Sequence, residues 1–145
     1  MIHLIAVAQY VQGHVSGVIL AIVAYMILGF LWHGPLFGAL WIRLNKMAKP
    51  KKEDMKFSMM VPGLCASIAT AFVQSAVIGR SFEILALPSI LHAFIIATLF
   101  WLPFTGMVLL TNYTWSQKPA QLFFLDGAFS LLSLLLIAAV LYVTL

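Results

Sequence analysis

The sequence predicts an all-α integral membrane four-helix bundle, with a short interfacial amphipathic helix after the first span. Three observations carry that prediction. Hydrophobic residues make up 63% of the 145 and charged residues only 8%, against about a quarter charged in ordinary soluble domains. Four apolar runs, residues 12–33, 57–79, 88–112 and 120–144, each approach the roughly 20 residues that cross a hydrocarbon layer. Lipid offers no partner to backbone N–H and C=O groups, so continuous runs of this kind are helices. The third observation is the placement of charge. Arg43, Lys46, Lys49, Lys51, Lys52, Lys56 and Lys118 fall on one side of the four spans and Arg80 alone on the other. The positive-inside rule then puts the basic loop 42–56 in the cytoplasm and both termini outside. One transmembrane domain, 1–145, in the inner (plasma) membrane is expected.

The net charge of +4 is an orientation signal, secondarily suited to anionic lipid, so the expected partner is the bilayer and no nucleic acid is expected. The first run can extend back to Ile2. Its N-terminal stretch has no positive region, so no cleaved signal peptide is expected. Within this run Gly13, Gly17 and Ala21 recur every four residues on one helix face. Small residues at that spacing let a second backbone come close, within the chain or between copies in a homo-oligomer.

The first run closes on GFLWHGPLFGALW, residues 29–41. Pro35 lacks a backbone donor and suits the first turn of a new helix, with Gly34 easing the bend before it. Beyond it, Leu36, Phe37, Leu40, Trp41, Leu44 and Met47 line one side of a segment whose other side is basic. That is the pattern of a helix lying in the headgroups. Trp32, Trp41, Tyr113 and Trp115 are expected to form an aromatic belt at this boundary.

Glu53 and Asp54 precede the second run, where carboxylates favour the positive helix end. Pro62-Gly63 in the second run and Pro103 in the third predict kinks, and Pro88 opens the third. The single Cys65 leaves no disulfide framework and no pair with metal-ligand spacing.

An ionisable residue inside a span is a functional candidate because burying it is costly unless it is paired. Asp126 is the sharpest case. It shares a face of the fourth run with Ser130 and Ser133, a polar stripe that should face protein. His33 and Asn112 fall in the same layer, so His33, Asn112 and Asp126 form a candidate polar cluster in which a carboxylate beside an imidazole begins a proton relay. At the opposite side His14, Gln74 and His92 form a second layer, without the spacing of a metal site; interhelical hydrogen bonding accounts for them. Gly63, Ser67, Thr70 and Gln74 in the second run, and Thr98, Trp101, Thr105 and Asn112 in the third, form milder stripes. Phosphate-binding loops, dinucleotide fingerprints, HExxH and GxSxG are all absent from the sequence. No catalytic residue, metal or cofactor is expected, and the reading leans away from an enzyme.

The stretch 29–41 resembles the signature of a family catalogued as Domain of Unknown Function 1761, small and mostly bacterial membrane proteins with about four helices. In that family the first helix runs into a Trp-Tyr-Gly-Pro-x-Phe-Gly-x-x-Trp type motif. Trp32, Gly34, Pro35, Phe37, Gly38 and Trp41 match it, and His33 stands where the family has tyrosine. The substitution implies a position that asks for an amphipathic ring with a hydrogen bond, not for a general base or a metal ligand. The resemblance brings no activity with it. The leading expectation is a non-enzymatic, homo-oligomeric or partner-binding bundle. The alternative is a small transporter or channel in which Asp126 is the coupling carboxylate and Thr98, Thr105, Asn112, Ser130 and Ser133 line the path.

Overall fold

The computed structural model describes residues 2–46 and 57–144. Lys49, Lys51, Lys52 and Lys56, with Met47, Glu53 and Asp54, lie outside the described residues. The helices in chain order are α1 (Ile2–Gly13), α2 (Val15–Leu31), α3 (Gly38–Leu44), α4 (Phe57–Leu85), α5 (Ile90–Trp101), α6 (Met107–Trp115) and α7 (Ala120–Thr144). A wide π turn, Trp32–Leu36, joins α2 to α3, and a second, Leu102–Gly106, joins α5 to α6. No strand occurs among the described residues. Four stretches, Val15–Leu36, Met60–Leu85, Ile90–Trp115 and Ala120–Thr144, are long and apolar enough to cross a membrane, which makes this a multi-pass membrane protein.

The boundaries follow local chemistry. The first run is helical from Ile2 but bends at His14, whose φ and ψ of −124° and 35° leave the helical region between α1 and α2. Pro62 lies inside α4 near its start, where the helix runs through it. α4 then continues to Leu85, beyond the expected end at residue 79, because Arg80 and Glu83 stay on the helix as an i, i+3 ion pair of 2.6 Å. Pro103 does interrupt its span. Having no N–H, it cannot complete the regular ladder, and the chain widens to the π turn Leu102–Gly106 around it. The ends of α3, α4 and α6 are marked by left-handed residues, Lys46, Ala86 and Gln117 with φ of 54°, 46° and 51°, a common way to stop a helix and reverse the chain.

α7 is the hub. It packs against α2, α4 and α5, and α2 also packs on α4, whereas α5 makes no substantial contact with α2 or α4. Its buried residues, among them Leu122, Leu125, Ser133, Leu134, Ile137, Ala138 and Leu141, are spread round more than one face as that position requires. Close approach is made by small side chains: Ala21, Ala71, Ala93, Ala97 and Ala138 are wholly buried. The small-residue seam of the first run is used inside the chain at two of its three positions. Gly17 lies against Thr144 and Leu141, with Thr144 Oγ1 2.5 Å from where a Cβ would stand, and Ala21 is fully buried. Gly13 is open, with nothing within 4 Å of that point.

Candidate functional site

The family-like stretch builds a corner, and each motif residue has a physical task in it. The Trp32 carbonyl accepts the Phe37 N–H at 2.9 Å, closing the π turn. Gly34, with φ −102° and ψ −106°, departs from helical geometry inside that turn and Pro35 follows it. The Phe37 ring folds back on Trp32 with centroids 4.5 Å apart. Gly38 then passes so close to the His33 carbonyl oxygen that a Cβ there would collide with it. The result aims α3 back against the π turn and α7.

On that short helix Trp41 reaches the candidate carboxylate. Trp41 Nε1 donates to Asp126 Oδ1 at 3.1 Å, and the Tyr113 hydroxyl donates to Asp126 Oδ2. Both oxygens of Asp126 therefore have partners, and one half-buried side chain ties α3, α6 and α7 together. Asn45 Nδ2 donates to the Trp41 carbonyl at 3.0 Å, closing the end of α3. Lys118 lies over the Tyr113 ring, 5.0 Å from its centroid.

Of the expected cluster, Asp126 is in place and its neighbours differ. Asn112 is exposed, because adjacent residues on a helix point about 100° apart and the residue that faces Asp126 is Tyr113. His33 stands edge-on to Trp41, with centroids 6.0 Å apart, and to Phe129, at 4.6 Å, while its Nδ1 bonds the Gly29 carbonyl at 3.3 Å. It is thus one side chain removed from the carboxylate. Trp41 and Tyr113, expected in an aromatic belt, instead hold Asp126, and Trp32 is buried. Trp115, 84% exposed, alone of the four has the outward setting of a belt residue. The signal that marks Tyr113 is its register: it stands near the end of α6, Asp126 stands near the start of α7, and a short reversal brings the two to one level.

The rest of the polar stripe on α7 serves packing. Trp101 Nε1 donates to Ser130 Oγ at 2.8 Å, and the hydroxyls of Ser130 and Ser133 donate to the carbonyls of Gly127 and Ser130. Thr98 returns its hydroxyl to the Phe94 carbonyl. The Trp101 ring lies over Gly106, where an added Cβ would come within 2.8 Å of it.

The residues of the second expected layer are apart. His92 pairs with Ser89 at 2.8 Å in its own first turn. His14 donates through Nδ1 to the Tyr10 carbonyl at 3.1 Å, with Glu83 Oε1 3.7 Å away. Gln74 Oε1 is buried without a partner among the described residues. No group of three or more His, Cys, Asp or Glu with metal-binding proximity occurs among the described residues. Ahead of the spanning stretches, Tyr10 stacks on His14 and packs on Gly79. Burial, with the Glu83 carboxylate nearby, pushes its phenol up to about 12.

No curated protein and no solved structure matches the chain. The family model described as "Protein of unknown function (DUF1761)" matches residues 16–142, from the start of α2 almost to the end of α7, and the chain belongs to that family.

Proposed function

We propose that this protein is a non-enzymatic bundle of the bacterial inner membrane that acts by association, with a second copy of itself or with another membrane protein. The observation that supports this reading is the state of Asp126. A coupling carboxylate must be free to exchange a proton or hold a cation, whereas here both oxygens accept bonds from neutral donors, Trp41 and Tyr113. Its task is to fasten the corner. The basic loop faces the cytoplasm and the termini face outward, as the positive-inside rule directs.

The contact surface between copies is the outward face at the start of the first span. Gly17 and Ala21 are enclosed within the chain, and Gly13, Ser16 and Leu20 are exposed along an adjoining strip. Because lipid is as apolar as leucine, membrane helices associate through small side chains that allow close packing, and Gly13 and Ser16 provide that. The experiment is oxidative crosslinking in native membranes of Ser16→Cys in a Cys65→Ala background. A disulfide-linked dimer is the expected product. Monomer alone, with no stable partner recovered, sinks the reading.

A further inference from the structure

The half of α4 nearest the basic loop is scarcely packed. From Met60 to Thr70 every residue is exposed except Leu64 and Ser67, which are intermediate. Those two face a groove of 320 Å³ between α4, α2 and α7, walled by Tyr25, Met26, Phe30, Met60 and Phe129 and floored by Gly29. That volume is at the lower end of the range of small-molecule sites, about 300 Å³ upward. The groove lies within the spanning stretches Val15–Leu36 and Met60–Leu85, and Phe30 and Met60, 76% and 52% exposed, stand at its open side. Its contents therefore come from the hydrocarbon layer.

The end of the groove is chemically different. His33 lines it, and with Nδ1 engaged by the Gly29 carbonyl its Nε2 makes no hydrogen bond among the described residues. Arg43, Lys46 and Lys118 are exposed at this end of the molecule. The one carboxylate described there, Asp126, already has its two donors. An apolar slot that ends at an imidazole in a cationic neighbourhood matches one occupant, an anionic phospholipid. We infer that the groove between α2 and α4 holds an acyl chain of such a lipid, with a phosphate oxygen accepting the Nε2–H of the His33 imidazolium, the form in which both ring nitrogens donate. Methionine and aromatic walls suit a flexible chain, and the positive end supplies the headgroup preference.

The test is native mass spectrometry of the protein released from nanodiscs of dioleoyl phosphatidylglycerol or dioleoyl phosphatidylcholine, with three variants beside the wild type. Gly29→Leu fills the groove from its floor, and it replaces a glycine by a good helix former, so the helix is not weakened. Ser67→Phe fills it from the α4 side. His33→Phe keeps the ring and removes the nitrogens. The expected result is a single phosphatidylglycerol adduct on the wild type, reduced at least tenfold in both groove-filling variants. His33→Phe should weaken the adducts of both lipids, since both carry the phosphate, and leave the preference for phosphatidylglycerol to the exposed basic residues. Equal adducts of the two lipids on the wild type overturn the inference, as does an adduct that survives both groove-filling variants. A dimer that these variants convert to monomer, with no lipid adduct, gives the groove to a second copy and equally overturns it. Thermal melts in detergent confirm that each variant is folded.

Discussion

Asp126 shows how one side chain can carry a tertiary fastening in a chain with so few polar groups. Removing it leaves the Trp41 N–H and the Tyr113 hydroxyl without an acceptor, and an unsatisfied buried group costs about 1–3 kcal/mol. Asp126→Ala should therefore lower the thermal stability of the purified protein, and Asp126→Asn, which still offers a carbonyl oxygen, should lower it less. Trp41→Phe combined with Asp126→Ala should destabilise by less than the sum of the two single changes, since each removes the same bond. A double-mutant cycle of melts checks this; strict additivity would mean that the bond contributes nothing. The sequence marks Asp126 plainly, because a carboxylate inside a span demands a partner. The partner's identity is harder to read. Asn112 and Tyr113 are neighbours in sequence, either fits the layer, and only the rotation of α6 decides between them. Trp41 is obscured for a different reason: its indole suits a membrane interface as well as a hydrogen bond, and hydropathy does not separate the two.

At the scale of elements, the corner from Trp32 to Trp41 depends on backbone proximity more than on side-chain chemistry. Gly38 is needed because the His33 carbonyl lies where its Cβ would be, and that oxygen belongs to the backbone and cannot swing away. Gly38→Ala should cost about 1–3 kcal/mol, the range for forcing extra atoms into packed space. Gly63→Ala, inside α4 with nothing within 4 Å of its Cβ position, should instead gain about 0.5–1 kcal/mol from helix propensity. Paired thermal melts check both, and equal effects of the two changes would remove the steric account of the motif. The spans themselves were legible from hydropathy, with α7 placed at residues 120–144 from the sequence and at Ala120–Thr144 in the structure. The end of α4 was less so, because Arg80 and Glu83 look like loop residues until they are seen to pair along the helix. The kink expected at Pro103 takes the form of a π turn, and the ring of Trp101 lies over Gly106 beside it, a contact between residues five apart that no single-residue rule reads.

For the whole molecule the unequal charge distribution makes a topological prediction. Ala86 lies at the reversal between α4 and α5, and Ser116 at the one between α6 and α7, so the two are at opposite ends of the bundle. In a Cys65→Ala background, an impermeant maleimide applied to intact cells should label Ala86→Cys at once and Ser116→Cys only after permeabilisation. The reverse pattern would turn the protein over in the membrane. The bundle also has an order of assembly built into its connectivity. The first two spans have each other to pack on as they leave the ribosome, but α5 packs chiefly on α7, which is made after it. Until that last helix enters the bilayer, the third span has no substantial neighbour among the described residues of the earlier spans. Biogenesis therefore passes through a stage in which the small-residue face of the third span, Ala93 and Ala97, is in contact with lipid and stays so until the final helix covers it.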